Sequence, residues 1–349
     1  MTSNPETVTV RDISGLLALV PTLVSFTPER SIVVCFLRGT RIALSMRADL
    51  DGSNVRELAE TAIMAAARAG ASELVAIGYI PNISVVIHRV LQDLAIAVEN
   101  ETMDSETPLR VMALAAVGRD GWCELPMWGT EIPPLRPLAE LTEHPVHVAR
   151  IVAGMAPLRS RAEIVARVQP GSDATADEFI EGWQTQIAQM AGLSGHEMAK
   201  VLDELLSAYE QQSEGELPDQ HSMGRMAALV NEGVARDVAS LRVSAETSHR
   251  WVDLWSAIAR SADDQAALAP LALCGLASWV RGDGAMANAS IASADAICDR
   301  LGVPQHPLVG IVRAVTSLCL PPEHWTQFAR ELREFGALTP TVELGHCAS

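Results

Sequence analysis

The sequence predicts an α/β N-terminal domain followed by an all-α, tetratricopeptide-like C-terminal domain. In the first third of the chain, continuous apolar runs of strand length alternate with helical patterns, which is typical of a sheet covered by helices. No convincing strand follows Leu158, and helical periodicity continues from there. We therefore expect an α/β domain over 1–125, a Pro-rich connector over 126–157 and a helical domain over 158–340.

The α/β domain opens with a short helix and a β-hairpin. Asp12 can cap a helix that Pro21 limits. The run at 31–37 is apolar after its first residue and predicts a strand buried on both faces, whereas the alternation over 41–50 predicts a half-exposed return strand. Gly39 suits the first central position of a type II′ turn because glycine readily adopts a positive φ.

This turn predicts a specific hairpin register. Ile32 faces Arg47, and Arg30 faces Asp49 as a cross-strand ion pair. A one-residue slip would place Arg47 among apolar side chains, so the pattern favours this register. The apolar face that results contains Val33, Cys35, Leu37, Ile42, Leu44 and Met46.

Helices and strands alternate through the rest of the domain. Ser53 or Asn54 can cap a helix that Gly70 ends. Further apolar runs predict buried strands at 73–79 and 109–117, an amphipathic helix at 83–99 between them, and a short strand at 122–125. This order predicts a mixed, mostly parallel sheet with the N-terminal β-hairpin at its margin.

The connector contains many prolines, which predicts little regular structure there. Beyond it, helices are predicted over 159–168, 175–193, 195–211, 222–239, 245–260, 265–281, 285–300, 307–319 and 322–336. The segment WVRGDGAMANASIASADAI resembles one tetratricopeptide-like hairpin, in which Gly282 ends a helix and Asp283 caps the next. Trp251, Trp255 and Trp279 fit core positions better than a ligand cage.

Composition and charge restrict the partners. The formal net charge of −17 repels phosphate backbones and anionic lipids, and no basic patch offsets it. A nucleic-acid role would require folding to gather scattered arginines onto one face, namely Arg110, Arg119, Arg136, Arg150 and Arg159. Apolar spans reach only about twelve residues, too short to cross a bilayer. We expect neither a membrane nor a nucleic acid as partner.

The cysteines and the N-terminus predict a cytoplasmic protein. The six cysteines form no C-x-x-C pair, and Cys35 and Cys274 lie inside apolar runs, which favours a reducing compartment. The first residues are polar and lack the apolar region of a secretory signal.

Several segments together resemble an actinobacterial family, the domain of unknown function numbered 4192. These segments are DISGLLALVPTLVSFTPERSIVVCFLRG from residue 12, RADL, SRAEIVARVQP, VARDVASL, LWSAIAR, LASWVRGDGAMAN and LCLPPEHW. The resemblance covers most of the chain and implies an organisation, with no site residues to carry over. Family members often have Trp- and Cys-rich sequence after the third strand, where this chain has GWCELPMWG.

Candidate ligand-binding residues lie at strand ends, where open α/β sheets place ligands. They are Arg38, Arg47, Asp49, Tyr79, Asn82 and Arg119. No phosphate-binding glycine motif follows a strand, so no nucleotide cofactor is expected. Ser31 lacks a neighbouring histidine that could act as its base, and His144 with His147 are too few ligands for a zinc site. We predict no metal site, and the catalytic residues are unknown.

The absence of catalytic motifs favours a non-catalytic protein-interaction or scaffold module. Helical hairpins with small-residue seams commonly present grooves to peptides or to a second copy of the same chain. We therefore expect a protein partner or a homo-oligomer. The alternative is an enzyme or small-molecule sensor with its site at the junction of the sheet and the helical domain.

Overall fold

The computed structural model describes residues 12–51, 54–171 and 176–338. The chain divides into two compact units. The α/β unit contains Met1–Ile164 with Ser317–Leu320, and the helical unit contains Val165–Thr316 with Pro321–Ser349. Among the described residues, no helix combines the length and the apolarity that crossing a membrane requires.

The α/β unit is built on a five-stranded sheet in the order β2-β1-β3-β4-β5. Its strands are β1 (Ser31–Arg38), β2 (Arg41–Asp49), β3 (Glu73–Tyr79), β4 (Arg110–Val117) and β5 (Trp122–Leu125). Its helices are α1 (Ile13–Leu23), α2 (Val55–Ala69), α3 (Val85–Thr102), α4 (Ala139–Thr142) and α5 (Pro145–Val152), and α6 (Arg161–Ala166) begins near its end. A mixed α/β region followed by a helix-rich region is confirmed.

The prediction of a mostly parallel sheet is wrong. β1 pairs antiparallel with both β2 and β3, β5 pairs antiparallel with β4, and β3 with β4 is the one parallel pair among the described strands. The reason is that β2, and not β1, leads into the first helical crossover. β2, β3 and β4 run in one direction, linked by α2 and α3, while β1 lies between β2 and β3 in the opposite direction.

The predicted hairpin register holds only next to the turn. Gly39 has the expected positive φ of 62°, and Leu37 faces Ile42 as predicted. An irregularity follows, so that Phe36 faces Leu44 and Ala43 is the extra residue of a bulge. Every later pair is therefore shifted by one position.

The shift reverses the side chains that share a face. Ile32 faces Ala48 instead of Arg47, and Ser31 faces Asp49. The predicted apolar face is therefore wrong. The side chains that pack together are Ile32, Val34 and Phe36 from β1 with Leu44, Met46 and Ala48 from β2. Because β1 is buried on both faces, its sequence cannot select between the two registers.

Helices α2 and α3 cover this face of the sheet, which we call the helix-covered face. Leu58 of α2 and Leu91 of α3 belong to the same buried cluster as Phe36. Alanines of α2 belong to this cluster as well, and Ala62 and Ala65 are fully inaccessible. Of the two predicted N-caps, Asn54 accepts a hydrogen bond from the Arg56 amide, and Ser53 lies outside the described residues. Gly70 ends the helix as predicted, with φ of 61°.

The connector is more ordered than its prolines predict. Two short helices, α4 and α5, lie within it, and Arg136 exchanges backbone hydrogen bonds with Trp122 at 2.7 and 2.9 Å. His144 accounts for the start of α5, because its Nδ1 accepts from the Val146 amide at 3.2 Å. The proposed domain limits at 125 and 158 stay a prediction.

The helical unit contains no strand among residues 176–338. Its helices are α7 (Asp177–Met190), α8 (Gly195–Glu210), α9 (Gln220–Val230), α10 (Gly233–Leu241), α11 (Ser248–Ser261), α12 (Asp264–Arg281), α13 (Gly284–Leu301), α14 (Pro307–Ser317) and α15 (Glu323–Leu338). The helix predicted over 222–239 is two helices, because Asn231 ends α9 and its side-chain amide donates to the Ala227 carbonyl at 2.7 Å. The turn between α12 and α13 forms as predicted, with Gly282 at φ of 84° and Asp283 accepting from the Met286 amide at 3.0 Å.

The buried tryptophans confirm that aromatic residues of this unit fill the core. Trp251, Trp255 and Trp279 expose 1%, 0% and 7% of their surfaces. Helices α7 and α9 approach so closely that glycine is required at their crossing. A β-carbon at Gly182 would overlap the His221 carbonyl oxygen, and one at Gly224 would overlap the Phe179 carbonyl oxygen.

We expect Gly182→Ala to destabilise the protein by at least about 2 kcal/mol, because the two backbones must move apart to admit a methyl group. Urea unfolding followed by circular dichroism measures the change. Gly284→Ala is the matched control: a β-carbon there meets nothing within 4 Å, and the substitution is expected to be neutral or stabilising. Equal stability of both variants would contradict the close crossing.

His306, just before α14, links stability to pH. Its Nε2 lies 3.2 Å from Nη1 of Arg236. Burial, followed by the charge of Arg236, lowers the pKa of His306 from 6.5 to about 4. Between pH 6.5 and about pH 4, the His306 imidazole is protonated in the unfolded chain but not in the folded chain. The free energy of unfolding is therefore highest above pH 6.5 and decreases as the pH falls toward 4.

We expect His306→Gln to lose less stability than the parent protein between about pH 7 and pH 4, because glutamine can accept from Arg236 without titrating. Urea unfolding across this pH range tests it. His324→Gln, which removes an exposed histidine of α15, should leave the pH dependence unchanged. Parallel pH profiles for His306→Gln and the parent would contradict the assignment.

Candidate ligand pocket at the carboxyl end of the sheet

Five of the six predicted site residues lie at one end of the sheet. Because β2, β3 and β4 share a direction, their carboxyl ends meet at a common edge. This edge carries Arg47, Asp49, Tyr79, Asn82 and Arg119. Arg38 lies at the opposite end, where Leu37 faces Glu73 at the start of β3, because β1 runs the other way.

A pocket of about 380 Å³ opens at this edge, on the helix-covered face. It is lined by the start of β1, by the residues that follow β2 and β3, and by the first turns of α2 and α3. The lining residues are Ile32, Leu50, Val55, Leu58, Ile80, Asn82, Ser84, Val86, Ile87 and Val90. A volume of this size is within the range of small-molecule sites.

The pocket lining is apolar except for Asn82 and Ser84, and no ionisable side chain contributes to it. Asn82 is therefore the one predicted site residue that the pocket contains. Ser84 precedes α3, and its hydroxyl makes no capping hydrogen bond. The first amide groups of a helix have no acceptor within the helix, so a ligand oxygen could accept from them here. The pocket can therefore hold an apolar body with a single hydrogen-bonding end.

The charged residues of this edge pair with each other outside the pocket. Arg47 Nη2 lies 2.5 Å from Asp49 Oδ1, and Arg161 Nη1 lies 3.1 Å from Asp49 Oδ2. The predicted pair of Arg30 with Asp49 is wrong, because Arg30 instead pairs with Asp51 at 2.8 Å. The bulge in β2 explains this change, since it places Asp49 opposite Ser31.

The strand registers align five residues in one row across the sheet. The row consists of Asp49, Ser31, Tyr79, Val117 and Trp122, which pair in that order on neighbouring strands. Directly paired residues point to the same face, so this row lies on the face opposite to α2 and α3. The sequence gives no sign of this row, because it depends on four separate registers.

The row buries several polar groups. Ser31, Tyr79 and Trp122 expose 0%, 5% and 0% of their surfaces. Among the described residues, Ser31 Oγ, the Tyr79 hydroxyl and Trp122 Nε1 have no hydrogen-bond partner. Burial raises the pKa of Tyr79 well above its usual value, so its hydroxyl stays protonated. Ser31 and Tyr79 thus contribute to the second face and not to the pocket.

Other residues that could carry chemistry have structural roles. Burial raises the pKa of Cys35 to about 12 and that of Cys274 to about 11, which keeps both thiols protonated and unreactive. His147 Nδ1 lies 3.1 Å from the Ala18 carbonyl oxygen, which ties α5 to α1. Among the described residues, no group of histidine, cysteine and carboxylate side chains could hold a metal ion.

Sequence reasoning missed most of the pocket. Ile80 and Val86 line it, although neither is polar, and polarity was the basis for choosing candidates. Nothing in the sequence distinguishes these residues, because an amphipathic helix and a buried strand contain many apolar residues. The 73% exposure of Val86 is visible only in the structure.

The chain is thus a mixed α/β and helical protein with a mostly apolar pocket in its α/β unit. The chain belongs to the family described as Domain of unknown function (DUF4192), which it matches over residues 14–323. The resemblance found in the sequence is confirmed by this match. No curated protein and no solved structure matches the chain.

The buried row gives a prediction about Tyr79. We expect Tyr79→Phe to be neutral or stabilising, because a buried hydroxyl without a partner contributes nothing that its removal could cost. Tyr209→Phe is the control: the Tyr209 hydroxyl donates to the Arg250 carbonyl at 3.0 Å, and its loss should cost about 1 kcal/mol. Urea unfolding measures both. A comparable loss in Tyr79→Phe would show that its hydroxyl is satisfied.

Proposed function

We propose that the protein is a non-catalytic binding protein whose α/β unit holds a mostly apolar ligand in the pocket between β2, β3, α2 and α3. The observation that supports this proposal is the lining itself, which is apolar apart from Asn82 and Ser84. Ligand pockets are commonly built in this way, with a few polar groups that orient the ligand. Catalysis would require a nucleophile with its base, or paired acids, and the lining offers neither.

The sequence predicts a non-catalytic scaffold module, with a small-molecule sensor among the alternatives. The proposed protein is non-catalytic, as in the first prediction, and holds a small molecule, as in the second. We place the ligand within the α/β unit. We also propose a cytoplasmic location, which the free state of the described cysteines supports.

A tetratricopeptide-like groove in the helical unit has less support. The resemblance to tetratricopeptide repeats rests on one helical hairpin, which α12 and α13 form. Residues 266–280 of α12 are almost all buried, which leaves little of this helix for a partner. Binding of a protein partner is a second candidate function, and the surface that best supports it lies on the α/β unit, around the exposed Trp128.

A fluorescent dye can test the pocket. The probe 1-anilinonaphthalene-8-sulfonate has apolar rings and one anionic group, which matches the lining. We expect saturable binding to the folded protein, and Val86→Trp should weaken it at least about tenfold by filling the mouth of the pocket. Fluorescence titration measures the dissociation constants.

Val85→Trp is the matched control. Val85 is the same residue type on the same turn of α3 and is also exposed, but it does not line the pocket. It should leave the affinity within about twofold of the parent value, since the mouth stays open. Absence of saturable dye binding, or an equal loss in both variants, would overturn the proposed function. Circular dichroism must show that both variants are folded.

A further inference from the structure

Trp128 is the most exposed tryptophan that the structure describes. Its exposed fraction is 73%, whereas Trp122, Trp251, Trp255, Trp279 and Trp325 are all buried. It lies in the short segment 126–129, directly after β5. Tryptophan is the side chain that most often dominates the binding energy of protein interfaces. The high solvent exposure of the Trp128 side chain therefore needs a physical explanation.

The segment that carries Trp128 is fixed to α3 by side-chain hydrogen bonds. His88 is fully buried, and its Nε2 lies 2.7 Å from the Pro126 carbonyl oxygen, so this nitrogen must donate. Gln92, one turn further along α3, donates from Nε2 to the carbonyls of Met127 at 3.2 Å and Gly129 at 2.8 Å. A segment held through three carbonyl groups, on both sides of Trp128, presents this side chain with little conformational freedom to lose on binding.

Two exposed apolar residues of α3 flank the attachment point. Ile96 follows Gln92 by one helical turn, and Val85 precedes it by two turns, so all three lie on one stripe of the helix. Val85 is 47% exposed and Ile96 is 41% exposed. We call Trp128, Val85 and Ile96 the Trp128 surface. It lies on a different side of α3 from Val86 and Val90, which line the pocket.

The charges near this surface favour a basic partner. Exposed carboxylates of Asp93 and Glu131 lie within three residues of Gln92 or Trp128 in the chain, against one exposed cation, Arg89. The whole chain carries a formal charge of −17, so a second copy would be repelled. The indole ring is also the best aromatic acceptor for a cation.

We propose that the Trp128 surface is a docking site for a basic segment of another protein, in which an arginine stacks on the Trp128 ring and neighbouring apolar side chains contact Val85 and Ile96. Arginine suits this role because its planar guanidinium stacks on aromatic rings. The acidic residues around the surface attract the segment and speed its association. This site is separate from the proposed ligand pocket and does not depend on it.

A labelled peptide of alternating arginine and leucine residues tests the proposal on the full chain. We expect Trp128→Ala to weaken binding at least about tenfold in fluorescence anisotropy, because it removes the central anchor. Glu131→Gln should weaken binding about two- to threefold and reduce its dependence on salt. Since Trp128 is exposed, its replacement should leave the unfolding transition unchanged.

Val152→Ala is the control, since Val152 is an apolar residue of α5 that is 82% exposed and distant in sequence from this surface. Its affinity for the peptide should equal that of the parent. Equal binding by Trp128→Ala and Val152→Ala would overturn the proposal and indicate only non-specific attraction to an acidic protein. Light scattering provides a second readout: a dimer of the parent that Trp128→Ala dissociates would also overturn it, because the occupant would be a second copy.

Discussion

The α/β unit depends on one constraint: β1 lies between β2 and β3, antiparallel to both and buried on both faces. A strand in this position must satisfy its backbone on both sides and pack side chains both above and below the sheet. Its insertion leaves β2, β3 and β4 running together, so their carboxyl ends share one edge. The first turns of α2 and α3 are brought to the same edge, and the pocket forms between them.

The two faces at this edge differ in chemistry because of the bulge in β2. On the helix-covered face, the shifted register places Leu44, Met46 and Ala48 against the core. On the other face, it aligns Asp49 with Ser31. Arg47 and Arg161 then pair with Asp49 at the rim, where water can still reach part of each side chain. Charges therefore remain outside the pocket, and its lining contains no ionisable side chain.

The helical unit uses its apolar residues in a different way. Glycine at the crossing of α7 and α9, and the small residues along α12, let helices approach closely enough to bury almost everything between them. Such close packing stabilises the unit. On the α/β unit, His88 and Gln92 hold the segment that carries the exposed Trp128.

Local sequence is sufficient to predict the features that depend on neighbouring residues. Asp12, Asn54 and Asp283 cap their helices, and Gly70 and Gly282 end theirs, because capping requires only the adjacent turn. The direction of β1 against β3, the bulge at Ala43 and the composition of the pocket follow from contacts between distant segments and cannot be read from local sequence. A strand that is apolar on both faces fits either register and either direction equally well, so the choice depends on packing between distant segments.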